Sequence, residues 1–96
     1  MTRLIWSPRA ARDLESIHAY VARDSAIYAG LVVQRLVHAA ERLREFPSLG
    51  RVVPELSQPH VRELIIPPFR LVYRSQGQSV EVVTVFRASR LFTAAP

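Results

Sequence analysis

The sequence predicts an α+β domain built from a short strand, an antiparallel helix hairpin and an antiparallel meander, with the helices on one face of the sheet. Three observations predict it. Apolar residues recur at steps of three and four through positions 10–46. From residue 61 onward the period drops to two. The chain has 96 residues, so it buries roughly 60–65% of its unfolded surface, enough for one modest core and one domain over 1–96.

Each element has its own signal. Arg3-Leu4-Ile5-Trp6 alternates as a short first strand. Ser7-Pro8 starts a helix: the hydroxyl caps an orphan amide, and Pro8 at the first helical position loses nothing by lacking its N–H. Ala10, Leu14, Ile17 and Val21 then form one stripe. Arg9 and Asp13 are i,i+4 neighbours placed to pair off that stripe. Asp24-Ser25 breaks the pattern and caps a second helix, whose stripe runs Ala29, Val32, Leu36, Ala39, Leu43, Phe46 until Pro47 and Gly50 end it. So short a break predicts an antiparallel helix pair. The proline-rich stretch 47–60 is a connection with a short strand at Arg51-Val52-Val53. Val61–Ile66 is a strand closed by Pro67-Pro68, and Ser75–Ser79 turns between two more strands. Setting Ser75 opposite Val80 puts Tyr73 against Val82 and Arg74 against Glu81, apolar with apolar and positive with negative.

Composition narrows the chemistry. Thirteen cationic residues against eight acidic ones give a net charge of +5, and every cation is arginine. An acidic partner is therefore expected: nucleic acid, an acidic polypeptide, or both. Arginine orients anions but is a poor general base. GC-rich coding is the simpler explanation of the bias itself, and it does not cancel that chemical consequence. With no cysteine, disulfides, thiolate metal sites and cysteine nucleophiles are excluded. His18, His38 and His60 lack metal-ligand spacing, and neither a phosphate loop nor a Gly-X-Ser-X-Gly turn occurs, so no metal and no cofactor is expected. No signal peptide and no membrane span are expected, which places the chain in the cytoplasm without a membrane partner. The charge excess is densest in the last third. Arg62, Arg70, Arg74, Arg87 and Arg90 are expected to converge on one sheet surface, while Phe69 and Tyr73 point into the core. Leu91-Phe92 is an apolar pair beyond the last strand, either tucked along a core edge or offered to a partner.

Taken together, these pieces resemble a known family. Trp6-Ser7-Pro8-Arg9-Ala10 opens the first helix, and Leu43-Arg44-Glu45-Phe46-Pro47-Ser48-Leu49-Gly50-Arg51 leaves the second. Val61-Arg62-Glu63-Leu64, Arg70-Leu71-Val72-Tyr73-Arg74 and Val85-Phe86-Arg87-Ala88-Ser89-Arg90 follow in order. Over nearly the whole chain this resembles the RelE/ParE superfamily of type II toxin–antitoxin toxins, nearest the ParE-like subgroup. The resemblance implies a helix hairpin on a twisted antiparallel sheet. It also implies a cognate ParD-like antitoxin with an acidic C-terminal segment, a toxin–antitoxin hetero-oligomer, a role in plasmid stabilisation, and no direct DNA binding without the antitoxin.

The superfamily divides by target. RelE-like members cleave mRNA on the ribosome, and ParE-like members inhibit DNA gyrase. Cleavage by 2′-OH attack needs proton-transfer groups as well as cations. RelE-like enzymes use lysines and arginines on the sheet with a Tyr near the C-terminus. Lys is absent here, and Leu91, Phe92 and Thr93 follow Arg90 with no Tyr or His. The expectation is therefore a gyrase inhibitor rather than an enzyme, with Arg62, Arg70, Arg74, Arg87 and Arg90 as its target-binding surface. Leu14, Ile17, Val21, Leu31, Arg35, Leu91 and Phe92 are expected to receive the antitoxin. A ribosome-dependent endoribonuclease acting through Arg70, Arg74, Arg87 and Arg90 is the first alternative. A non-toxic interaction module is the second.

Overall fold

The computed structural model describes residues 2–89. Along the chain run β1 (Arg3–Trp6), α1 (Pro8–Ala22), α2 (Ala26–Glu41), one 3-10 turn (Arg42–Arg44), β2 (Arg51–Val52), β3 (Val61–Ile66), β4 (Phe69–Gln76) and β5 (Ser79–Arg87). Both helix starts use the expected caps. Ser7 Oγ accepts from the Ala10 amide at 3.0 Å and Ser25 Oγ accepts from the Tyr28 amide at 3.0 Å. The second helix ends earlier than its stripe predicts. Leu43 is buried in the 3-10 turn, and Phe46 beyond it is exposed.

The strand order is β1-β5-β4-β3-β2. β2 to β5 form the expected antiparallel meander, but β1 lies parallel to β5, with Leu4 beside Val80 and Trp6 beside Val82, so the sheet is mixed rather than wholly antiparallel. Docking on the free edge of β5 lets Ser7 reach that strand at once. Its amide donates to Val82 O at 3.0 Å and its hydroxyl to Val83 O at 2.8 Å, which launches α1 over β5.

Two apolar layers hold the sheet. On the helix side Ala10, Val32, Leu36 and Leu43 pack with Phe69, Leu71, Tyr73, Val80, Val82 and Val85. On the outer side Val53, Val61 and Val72 form a smaller cluster with Leu56, Val83 and Phe86. The connection after β2 covers part of that outer face, which explains why β4 is buried on both sides from Phe69 to Tyr73.

The expected register of the β4–β5 hairpin is present: Ser75 faces Val80, Arg74 faces Glu81 and Tyr73 faces Val82. One step further it slips. A bulge at Val72/Tyr73 sets Val72 opposite Thr84, so Val83 has no counterpart on β4. Beyond the bulge the faces of β5 are exchanged. Val85 joins the helix-side core and Phe86 the outer cluster. Asp13 from α1 closes the irregularity, its Oδ2 accepting from Thr84 Oγ1 at 2.5 Å and from the Val85 amide at 2.9 Å. Asp13 is thus engaged by β5 rather than by Arg9. Among the described residues no helix is long and apolar enough to cross a membrane.

Candidate functional site

On the outer face a buried carboxylate organises the loop and two strands. Glu63, fully buried on β3, accepts from Arg51 Nε at Oε2 (2.6 Å) and from Arg70 Nε at Oε1 (2.6 Å). The other end of Arg70 holds Glu55 with two parallel bonds, Nη1 to Oε2 at 2.8 Å and Nη2 to Oε1 at 2.9 Å. Its guanidinium also sits 5.2 Å from the Phe86 ring centroid. The Glu55 hydrogen bonds, opposed by burial and aided by Glu63, raise the Arg70 pKa above the ordinary arginine value. A cation held in this way is a clamp between β4, β3 and the 53–60 loop.

A second knot lies next to it. The buried Tyr73 hydroxyl accepts from the Gly50 amide at 2.9 Å, and Arg62 Nη1 donates to Gly50 O at 2.9 Å. A Cβ at position 50 would stand 2.4 Å from the Glu63 carbonyl oxygen and 2.9 Å from the Tyr73 ring, so only glycine lets the backbone approach this closely. Burial pushes the Tyr73 pKa up, partly offset by the Gly50 hydrogen bond and the Arg62 charge.

Among the described residues the expected arginines divide between the two sides of the sheet. Arg70 and Arg74 lie on the outer face, the first buried between carboxylates and the second paired with Glu81 at 2.8 Å. Arg62 stands opposite Tyr73 on the helix side, because its register position alternates with Glu63. The bulge carries Arg87 to the helix side as well, opposite the core residue Phe69. Arg90 lies outside the described residues.

The predicted antitoxin-binding set also divides. Leu14, Ile17 and Val21 are half-buried against the helix-side core, and Ile17 and Val21 also line the groove beside α1. Leu31 is exposed on α2. Arg35 Nη2 donates to Pro67 O at 2.9 Å, tying α2 to the β3–β4 turn. Leu91 and Phe92 lie outside the described residues. Sequence reasoning missed Ile27 and Tyr28, which are exposed beside Leu31. Their signal was available: both fall off the Ala29–Val32–Leu36 stripe. A groove of about 430 Å³ opens between α1 and the far end of β5, lined by Asp13, Ile17, Tyr20, Phe69, Val85 and Arg87 among others. Among the described residues no three His, Asp or Glu side chains converge to hold a metal.

Residues 4–92 match the family described as the ParE toxin of the type II toxin–antitoxin system parDE. The chain belongs to the ParE toxin family. It is 34% identical over 92 residues to Toxin RelE2 of Caulobacter vibrioides, covering 95% of this chain and all of that protein. Among solved structures it is similar to one described as the chromosomal ParDE TA system from P. aeruginosa, with a TM-score of 0.76 and 29% identity over 91% of this chain and 96% of that one. The motifs that suggested the superfamily are the ones that knot this ParE-family fold. Gly50-Arg51 meets Tyr73 and Glu63, and Arg70 and Arg74 meet their carboxylates.

Proposed function

We propose that this ParE-family toxin acts in the cytoplasm by binding DNA gyrase, and that a cognate antitoxin silences it by covering exposed parts of the helix hairpin. The state of Arg70 is the observation that favours binding over RNA cleavage. An arginine that stabilises a phosphorane must present its charge to the substrate. Arg70 instead directs it into Glu55 and Glu63. Tyr73 is no better placed as a base, since it is buried and its proton is held above the ordinary value. The exposed Ile27, Tyr28 and Leu31 supply apolar area for an amphipathic antitoxin helix, with Arg35 beside them. The relative named RelE2 keeps the endoribonuclease reading as the competing one. Purified toxin added to gyrase and relaxed plasmid decides between them. Supercoiling should stop, and added antitoxin should restore it. Unimpaired supercoiling together with mRNA cut at ribosomes would reject the gyrase reading.

A further inference from the structure

Tyr20 projects from the last turns of α1 and is 57% exposed. Arg23 lies 5.8 Å from the centroid of its ring, and Arg87 reaches the same ring from β5 at 5.7 Å. Neither arginine is ion-paired among the described residues, in contrast to Arg51, Arg70 and Arg74. Two like charges gathered on one aromatic ring repel each other, and an anion placed between them relieves that repulsion. The groove beside them has apolar walls from Ile17, Val21, Phe69 and Val85. Cationic rim and apolar slot meet at one end of the α1–β5 groove.

We propose that this groove end is the anchoring subsite for the antitoxin: an apolar side chain enters the slot, and a carboxylate from the same acidic segment is held by Arg23 and Arg87 over Tyr20. The proposal rests on the antitoxin reading above and gives it a location. The chemistry favours a polypeptide over nucleic acid. The slot takes an aliphatic or aromatic side chain, which a polypeptide supplies beside its carboxylates and a phosphate backbone does not. The bulge makes the subsite. Uninterrupted alternation from Glu81 would send Arg87 to the outer face with Arg74. Asp13, which satisfies the bulged Thr84 and Val85, is accordingly a positioning residue for Arg87.

The test is calorimetric titration of the toxin with its full-length cognate antitoxin. The R23A/R87A variant should bind at least about tenfold more weakly than wild type while melting at the wild-type temperature, since both side chains are exposed. One Asp or Glu of the antitoxin, changed to its amide, should weaken binding to wild-type toxin but not to R23A/R87A. D13A should lose affinity on its own and add no further loss to R87A; an additive loss would mark Asp13 as merely structural and remove its positioning role. Wild-type affinity in a folded R23A/R87A variant overturns the subsite. So does an unchanged antitoxin affinity accompanied by lost binding to a short oligonucleotide, which would assign the arginines to phosphate. Failure of wild-type toxin to bind the antitoxin at all is a different result, and it rejects the function reading itself.

Discussion

The two sides of the sheet use arginine in opposite ways. On the outer face Arg51 and Arg70 are locked onto a fully buried Glu63, with Glu55 closing the network. At the helix-side groove Arg23 and Arg87 share the ring of Tyr20 and, among the described residues, form no ion pair. A buried cation with two carboxylates cannot be lost without leaving charge stranded in low dielectric. An exposed cation on an aromatic ring can be exchanged at little cost to folding and remains available to a partner. The same residue type is thus architecture in one place and, at the subsite proposed above, recognition in the other. Carboxylate partners and burial decide which.

Substitutions can break this contrast, and the largest effect should come from its centre. Glu63→Ala takes the acceptor from the buried Arg70 Nε and leaves Glu55 alone to balance that cation, and should cost about 3–5 kcal/mol in urea unfolding; a loss below about 1 kcal/mol would show that the network is not holding the outer face. Gly50→Ala forces a methyl group against the Glu63 carbonyl and should cost about 1–3 kcal/mol or more by the same measurement.

Tyr73→Phe leaves the buried Gly50 amide without its acceptor, for about 1–3 kcal/mol at neutral pH. It should also alter the alkaline limb of the stability curve. The folded state holds the tyrosine proton above the ordinary value of 10.0. The stability gained from this is complete below pH 10.0 and is lost as pH rises toward the folded value. Unfolding followed above pH 10.0 should therefore show a decline in wild type that Tyr73→Phe lacks. Arg74→Ala, which opens the half-exposed pair with Glu81, should cost at most about 1 kcal/mol. Arg23→Ala and Arg87→Ala should be smaller still, and a large loss from either would erase the distinction between the two regions.

Much of the fold was legible because its signals are local. Ser7 and Ser25 cap where the sequence places them, and the period change at Val61 marks the first long strand. Pairing Ser75 with Val80 was enough to set the hairpin register. What stayed hidden depends on contacts distant in sequence. The bulge is held by Asp13, some seventy residues upstream of its partners, and no local pattern announces it. That single inserted position moved Arg87 to the other face and dissolved the arginine surface that strict alternation predicts. The parallel seat of β1 is likewise set by the far end of the chain. The family motifs were readable as motifs, but their role as a knot around Gly50, Glu63 and Tyr73 was not, because it joins a loop to strands that only the tertiary fold brings together.

The central claim is that the outer arginines build the toxin and do no chemistry. Arg70→Met combined with Glu63→Met and Glu55→Gln tests it most directly, since replacing a buried ion pair with apolar residues of similar volume is often neutral or stabilising, and neutralising Glu55 leaves no carboxylate stranded by the loss of Arg70. On the gyrase reading proposed above, the folded triple variant should inhibit supercoiling to the same extent as the unaltered chain. Loss of inhibition in the folded variant would contradict the claim, as would wild-type cleavage of ribosome-bound mRNA that disappears with Arg70.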